Sequence, residues 1–190
     1  IRIGLSPLEK STRYVVFDQK NNDGDYSFYK DPAIMESSFQ DLYLDATRHC
    51  FDVYAKAVAI FLDFFRKQVP LEKQQFPDFS KENVASAKPT LFNNLKDEKS
   101  VKAAQIAYNA SIRAKACDVA RVLLPASSLT NIGLFGNGRA YGYMATKMLA
   151  HPLIEMQVIA AESTIELKKV LPKFLDVVDN QHGQNYQTYL

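Results

Sequence analysis

The residues best suited to chemistry lie in one stretch, residues 120–139, which is largely apolar yet carries two arginines and a Gly-Asn-Gly. Arg121 ends a helical pattern, which Pro125 stops because proline lacks an amide donor. Gly136-Asn137-Gly138 then opens a second helical pattern, with Arg139 in its first turn. Such a helix start presents unpaired amides and a positive dipole end, so it predicts a site for phosphate or another anion. The alternative, which these residues alone favour, is an asparagine N-cap beside a solvent-exposed arginine.

Helices are expected to dominate the elements that position these residues. Apolar side chains recur at three- and four-residue steps over residues 34–67, 101–124, 137–150 and 152–169. Pro32 is expected to open the first of these helices. That helix carries an apolar stripe predicted to face the core, made of Phe39, Leu42, Ala46, Cys50, Val53, Ala57, Phe61 and Phe64, and widened by Leu44, Phe51, Tyr54, Val58 and Phe65.

Strand signals are confined to the start of the chain. Residues 12–19 and 26–29 are rich in β-forming residues and predict two strands around a turn at residues 21–25. The tail from residue 176 is polar and predicts irregular structure. These patterns indicate an α+β fold, predominantly helical, in a single domain over residues 1–190.

Composition and charge exclude several classes of function. A net charge of +2 gives no bulk attraction to nucleic acid or to a membrane surface, and no apolar run is long enough to span a bilayer. Cys50 and Cys117 form no metal-ligand spacing and are expected to be buried free thiols, as is typical of a reducing cytosol. His49, His151 and His182 lie far apart in sequence, so no metal site is predicted. We therefore expect a cytoplasmic protein.

Two blocks of the sequence carry a family resemblance. The first is Ser6-Pro7-Leu8-Glu9-Lys10-Ser11-Thr12-Arg13-Tyr14, which is similar to a segment S-x-N-E-x-S-x-R-Y. The second begins at Arg121 and is similar to A-R-x-V-L-P followed by N-x-R, with a matching spacing of sixteen to Asn137. In this order the blocks resemble the flavin-dependent thymidylate synthases, also called thymidylate synthase complementing proteins. The resemblance covers roughly residues 6–67 and 113–166, and residues 69–112 look like an insertion.

The resemblance implies a fold with a small β-sheet and long helices, and the reductive methylation of dUMP to dTMP. In that reaction methylenetetrahydrofolate supplies the carbon, reduced FAD the hydride, and NADPH re-reduces the flavin, in a homotetramer with sites between subunits. For dUMP the resemblance implies contacts from Glu9, Ser11, Arg13, Arg121 and Lys147. For FAD it implies contacts from Asn137, Arg139 and Arg2.

Two departures from the family pattern leave alternatives open. Where the family has Arg-His-Arg, this chain has Ile1-Arg2-Ile3, and Lys147 stands near the place of an arginine that polarises the uracil base. Because the chain begins at Ile1, we expect an N-terminal part to be missing. The alternatives are an active divergent synthase, a degenerate member or half of a tandem pair that binds nucleotide or flavin without catalysis, and a helical domain that keeps only the fold.

Overall fold

The computed structural model of the protein describes residues 4–78 and 89–190. Within these ranges it contains seven α-helices and four short strands, so the fold is α+β and predominantly helical, as the sequence predicts. The helices are α1 (Pro32–Met35), α2 (Gln40–Gln68), α3 (Glu98–Ala120), α4 (Gly138–Leu149), α5 (Ile154–Lys168), α6 (Pro172–Asp179) and α7 (Gln181–Tyr189). The strands are β1 (Leu5–Glu9), β2 (Gln75–Pro77), β3 (Pro89–Leu91) and β4 (Ile132–Gly136).

The described residues form two compact units. The long-helix unit contains α2, α3 and the hairpin of β2 and β3, and its described residues are 10–30, 36–78 and 89–129. The sheet unit contains β1, β4, α1 and α4 to α7, and its described residues are 4–9, 31–35 and 130–190. None of the helices described is long and apolar enough to cross a membrane. The predicted site residues are therefore divided between the two units.

Helices α2 and α3 build the core of the long-helix unit. With 29 residues, α2 is about 43 Å long at the α-helical rise. Phe65 packs against Tyr108 and Ile112 of α3, and Tyr54 packs against Ala120, the last residue of α3. Burying such large side chains contributes about 2 kcal/mol each. This packing fixes the C-terminal end of α3, where Arg121 follows.

Only part of the predicted apolar stripe of α2 enters the core. Phe39, Leu42 and Phe64 belong to the predicted stripe, yet they are 66%, 67% and 50% exposed. The buried residues of α2 are Thr47, Phe51, Tyr54, Val58 and Phe65, and all of these except Thr47 belong to the side chains predicted to widen the stripe. Apolar residues occupy both faces at helical spacing, so periodicity alone predicted a wider buried surface than the fold contains.

The long helix also begins later than predicted. Pro32 does open a helix, but α1 ends at Met35, and α2 starts only at Gln40. Between them the Ser37 hydroxyl accepts the Phe39 amide, and the Ser37 carbonyl accepts the Gln40 amide. These local bonds form a turn that competes with a continuous helix.

The two predicted strands near the start of the chain are absent. Residues 12–15 form turns, because the Ser11 carbonyl accepts the amides of Tyr14 and Val15. Residues 26–29 contribute only an isolated bridge between Phe28 and Ser128. The predicted turn at 21–25 is confirmed, with the Asn21 side chain accepting two amides within it.

The strands of the sheet unit lie outside the segments predicted as β. Strand β1 pairs antiparallel with β4, with Leu5 opposite Gly136 and Glu9 opposite Ile132. Leu5 packs with Ala140 and Met144, which attaches the small sheet to α4. A side chain at Gly142 would meet the Phe174 carbonyl, so glycine allows α6 to lie close against α4. The sheet therefore fixes where α4 begins.

The C-terminal tail is helical, not irregular as predicted. Pro172 occupies the first turn of α6, and Asn180 caps α7 by accepting the Gly183 amide at 2.8 Å. Leu175 and Val178 are buried against Ala145 of α4. The buried side chains of Leu175 and Val178 and the N-cap at Asn180 stabilise these two helices, although the polar composition of the tail suggests a loop.

Candidate functional site

Arg13 and Arg121 of the long-helix unit meet on one carboxylate. The Arg13 Nε lies 3.2 Å from Asp118 Oδ1, and the Arg121 Nη2 lies 3.1 Å from the same oxygen. The side chains of Arg13 and Arg121 are 53% and 37% exposed. Two cations and one anion leave this group with a net positive charge that solvent, or a ligand, can reach. We call these three residues the arginine pair and its carboxylate.

Local backbone structure brings each arginine to that carboxylate. The Ser11 hydroxyl accepts the amide of Arg13 at 3.3 Å, within the turn that follows β1. Arg121 begins a 3₁₀ turn, Arg121–Leu123, directly after α3, and it lies one helical turn from Asp118. Each guanidinium has five N–H donors, so a single contact to Asp118 leaves most of them available.

The start of α4 in the sheet unit is the second group of predicted residues. The Asn137 side chain caps the helix by accepting the Ala140 amide at 2.9 Å. The first amides of a helix have no acceptor within it, and one cap satisfies only one of them. A cavity of about 410 Å³ lies here, lined by Gly4, Asn137, Arg139, Ala140 and Tyr143. The predicted N-cap is confirmed, and it borders a cavity that the exposed Arg139 helps to line.

Lys147 lies on the same face of α4 as Arg139, with Tyr143 between them at four-residue spacing. The Lys147 Nζ stands 5.0 Å from the centre of the Tyr143 ring. Hydrogen bonding to Tyr143 raises the pKa of Lys147 above its usual value, and lysine is already a cation at neutral pH. A tyrosine flanked by two cations on one helix face is suited to aromatic and anionic ligands.

A second charged cluster of the long-helix unit has a buried carboxylate at its centre. Asp25 is buried and accepts two hydrogen bonds from Arg48, at 3.1 and 2.9 Å, and one from Lys30 at 3.0 Å. The Arg48 guanidinium holds the pKa of Asp25 well below its usual range. Beside it, the Tyr26 hydroxyl donates to Asp52 at 2.6 Å, which raises the pKa of Tyr26 to about 12.

Tyr54 of α2 and Cys117 of α3 are also buried. Burial raises the pKa of Tyr54 to about 12 and also raises that of the neighbouring Cys117. Both cysteines are free thiols, with Cys117 buried and Cys50 partly buried. Within the described ranges, no three or more His, Cys, Asp or Glu side chains are grouped as metal ligands would be.

Comparison with known proteins decides the family. The model of the family described as thymidylate synthase complementing protein matches residues 1–173. The chain belongs to this family. The chain is 36% identical to a UPF0159 protein of Chlamydia muridarum over 95% of its length, 40% identical to one of Chlamydia pneumoniae over 92%, and 37% identical to one of Thermoplasma acidophilum over 100%. The resemblance drawn from the two sequence blocks is confirmed.

The chain spans only part of these relatives. The matched regions make up 29%, 27% and 36% of the three proteins, in the order given above. Family membership makes the chain a thymidylate synthase-related protein, while the names of the relatives state no activity. The activity of the whole protein is therefore a matter for proposal.

The site residues that the resemblance implies are placed unevenly. Glu9 is the last, exposed residue of β1 and belongs to the sheet unit, whereas Ser11, Arg13 and Arg121 belong to the long-helix unit. Arg2 lies outside the described residues. The structure brings Arg13 and Arg121 together at Asp118, and it places Arg139 and Lys147 on α4 with Asn137 as the N-cap of that helix.

Sequence reasoning missed Asp118, Tyr143 and the residues of α7 that approach α4. Asp118 could have been found, because an acidic residue three positions before Arg121 on a helix is an ordinary ion-pair spacing. The α7 residues His182 and Tyr186 gave no signal, since their segment was expected to be irregular. Their position depends on the cap at Asn180, which only the folded chain reveals.

Proposed function

We propose that this chain binds dUMP and FAD and takes part in the reductive methylation of dUMP to dTMP. The observation that carries the proposal is the arginine pair held on Asp118, in a chain whose family is thymidylate synthase-related. Methylenetetrahydrofolate would supply the carbon and NADPH the reducing equivalents, in a homotetramer like those of the family that the sequence resembles.

The arginine pair suits the phosphate of dUMP for reasons of charge and geometry. Arg13 and Arg121 contact the same oxygen of Asp118, so their guanidinium groups are already close to one another. Holding two cations together costs electrostatic energy, which the shared carboxylate offsets before any ligand arrives. A phosphate dianion can then accept hydrogen bonds from both planar forks without waiting for either side chain to reorganise.

The residues at the start of α4 fit a flavin. Asn137 uses its side-chain oxygen as the cap, which leaves its amide NH₂, the first helix amides and the Arg139 guanidinium as donors. These donors suit a pyrophosphate or the polar edge of an isoalloxazine ring. When bound, a reduced flavin would supply the hydride. The protein's own contribution is to hold it by these donors, with Tyr143 as the adjoining aromatic wall.

Four further residues enter the proposal through the resemblance. Glu9 and Ser11 would hold the nucleotide, and Lys147 would face the uracil base as a point charge instead of an arginine fork. The Ser11 hydroxyl accepts the Arg13 amide and keeps its own proton to donate. Arg2 would add a cation to the flavin.

The nucleotide half of the proposal is tested by calorimetric titration of the full chain with dUMP. We expect Arg121→Ala to weaken binding about 10- to 100-fold, the effect of losing charged hydrogen bonds. Arg66→Ala is the matched control, because Arg66 is also half exposed and paired with an acidic residue one helical turn away. Equal dUMP affinities for the parent and Arg121→Ala would remove this arginine from the site.

The flavin half is tested by the visible absorbance of FAD retained by the purified chain. We expect Arg139→Ala to bind FAD about tenfold more weakly with the fold intact, because Arg139 is exposed at a helix start. Lys173→Ala, a substitution of a 93% exposed cation in the same unit, is the control. If Arg139→Ala unfolds, or retains FAD as the parent does, the assignment of Arg139 is wrong.

A second candidate is a nucleotide- and flavin-binding half of a tandem pair that supports a partner's site without catalysis. One observation favours it. The family's Arg-His-Arg is Ile1-Arg2-Ile3 here. Assay of dTMP formation with dUMP, methylenetetrahydrofolate, NADPH and FAD separates the two candidates. Turnover by this chain alone supports the synthase, whereas binding of dUMP and FAD without turnover supports the tandem half.

A further inference from the structure

A second cavity in the sheet unit is formed largely by residues that follow the family match. It has a volume of about 330 Å³ and is lined by Arg139, Tyr143, Thr146, Val177, His182, Gly183 and Tyr186. The family model ends at residue 173, so four of these seven residues lie beyond it. Helix α7 closes the cavity on one side and α4 on the other. We call it the α7 pocket.

Helix α7 is held firmly enough to serve as a wall. Its N-terminus is capped by Asn180, and the Gln187 side chain donates to the Val178 carbonyl at 2.8 Å. A side chain added at Gly183 would lie 1.7 Å from the Val177 carbonyl oxygen, so only glycine permits this approach of α7 to α6. The close contact sets the position of the α7 side chains that face α4.

The walls of the α7 pocket combine aromatic rings with two nitrogen-bearing side chains. Tyr143, Val177 and Tyr186 supply apolar surface, and Arg139 and His182 supply hydrogen-bond donors. The Thr146 hydroxyl already donates to the Gly142 carbonyl at 2.9 Å, so it offers no donor to a ligand. The chemistry available is aromatic stacking together with recognition of an anion.

We propose that the α7 pocket binds an aromatic anion, a planar ring system that carries a carboxylate or a phosphate. The ring would lie against Tyr143 and Tyr186, and the acid would pair with the Arg139 guanidinium, assisted by His182. A volume of this size falls within the range of small-molecule sites. An apolar pocket with few convergent polar groups is typical of such sites, because the ring contributes affinity and the charge fixes its orientation.

This inference goes beyond the proposed flavin contact. Arg139 and Tyr143 border both the α7 pocket and the cavity at Gly4 and Asn137, so substituting either one would affect both. His182 and Tyr186 line only the α7 pocket among the cavities described here. Substitutions on α7 therefore separate the two sites.

The test uses the full chain and two probes that share one ring, 1-naphthyl phosphate and 1-naphthoate, with neutral 1-naphthalenemethanol as the uncharged comparison. By calorimetry we expect at least one anionic probe to bind, and the neutral probe to bind at least about tenfold more weakly. The stronger of the two anions identifies the acid that the pocket prefers. Failure of both anions to bind the parent overturns the inference, and so does equal binding of the neutral probe.

Substitutions in α7 test whether the anionic probe binds in the α7 pocket. We expect Tyr186→Leu, which keeps apolar bulk but removes the aromatic ring, to weaken the bound anion about three- to tenfold. His182→Ala should weaken it less, and Gln184→Ala, an exposed residue of α7 that does not line the pocket, should leave it unchanged. A probe affinity that is unchanged in Tyr186→Leu overturns the inference. If Tyr186→Leu unfolds, the inference then depends on whether the anion raises the melting temperature of the parent, and no shift overturns it.

FAD retention measured on the same samples keeps this test separate from the proposed function. We expect Tyr186→Leu to retain FAD as the parent does. A parent that binds the naphthyl anion but no FAD contradicts the proposed flavin contact alone. Loss of both ligands in Tyr186→Leu would show that the α7 pocket is part of the flavin site, which overturns the inference as a separate site.

Discussion

Two carboxylates of the long-helix unit each contact two cations, yet they differ in exposure. Asp25 is bound by Arg48 and Lys30 with 9% of its side chain exposed, whereas Asp118 is bound by Arg13 and Arg121 with 48% exposed. The buried carboxylate has little room for any other partner. The exposed one leaves its two arginines open to solvent. The same residue types therefore form a buried structural ion-pair cluster at Asp25 and an exposed candidate ligand site at Asp118.

The contacts of the two carboxylates explain this difference. Both oxygens of Asp25 are engaged, since Oδ1 accepts from Arg48 and from the Tyr26 amide, and Oδ2 accepts from Arg48 and Lys30. These bonds tie the turn at residues 21–25 to α2. At Asp118 the closest approach of each arginine is to Oδ1, at 3.2 and 3.1 Å. One carboxylate charge beside two guanidinium charges holds the arginines together without neutralising them.

Replacing the buried carboxylate is expected to have the largest effect. We predict that Asp25→Asn lowers the free energy of unfolding by about 3 kcal/mol, because the charged hydrogen bonds to Arg48 and Lys30 are lost. Asp45→Asn is the control, since Asp45 is 82% exposed and lies 3.8 Å from Arg48; its substitution should cost less than about 0.5 kcal/mol. Urea denaturation near neutral pH measures both. Equal losses would mean that burial does not distinguish these two partners of Arg48.

The pH dependence of stability should follow the same carboxylate. The pKa of Asp25 in the folded protein is held well below its ordinary value, chiefly by Arg48, and in the unfolded chain it returns to about 4. Because the folded value is the lower one, Asp25 stabilises the fold above about pH 4, and this contribution is lost as the pH falls below that value. We predict that the stability difference between the parent and Asp25→Asn shrinks over this acid range. A difference that stays constant would contradict the assigned pKa shift.

Salt should affect the two carboxylate clusters differently. Between about 0.01 and 1 M salt the screening length falls from about 30 to 3 Å, which weakens interactions at exposed charges most. We predict that dUMP affinity at Arg13 and Arg121 falls by about tenfold over this range. The stability difference between the parent and Asp25→Asn should change little. A dUMP affinity insensitive to salt would argue that the phosphate does not bind these exposed arginines.

The sequence pointed to the cations of the candidate site but not to the carboxylate that holds two of them. Arg13, Arg121, Asn137 and Arg139 were all identified from two short blocks, because their spacing along the chain follows the family pattern. Asp118 was overlooked because a lone acidic residue on a helix face is common and carries no motif. Whether such a residue pairs with an arginine from a distant turn depends on the tertiary fold.

Strand prediction failed for a related reason. Residues 12–19 have the residue types that favour strands, but they have no partner strand. The hydrogen bonds that Ser11 accepts from the amides that follow it form a turn at the start of this segment. Strands β1 and β4, by contrast, contain Pro7 and Gly133, which local propensity disfavours. Their pairing joins segments more than a hundred residues apart in the chain, so no local pattern could have predicted it.

Helix prediction succeeded for the existence of α2 but overestimated how much of its apolar surface is buried. Sequence spacing identified a helix with apolar residues on more than one side, and such a helix offers no local basis for deciding which side packs inward. The structure buries the side with Phe51 and Tyr54 and leaves Phe39 and Leu42 exposed. On the buried side, Phe65 packs with Ala116 of α3 and Tyr54 packs with Ala120.

The smallest expected effect tests what Asp118 does for its arginines. Asp118→Asn keeps a side-chain oxygen but removes the charge, so the two guanidinium groups repel one another and lose their common anchor. We predict a fall in dUMP affinity of about threefold and a stability change below about 1 kcal/mol, as for exposed ion pairs. Calorimetric titration with dUMP and urea denaturation measure the two quantities. Tighter dUMP binding in Asp118→Asn would mean that the carboxylate competes with the phosphate for the arginines. The shared contact would then be a resting state that the ligand must break, and not an arrangement that prepares the arginines for it.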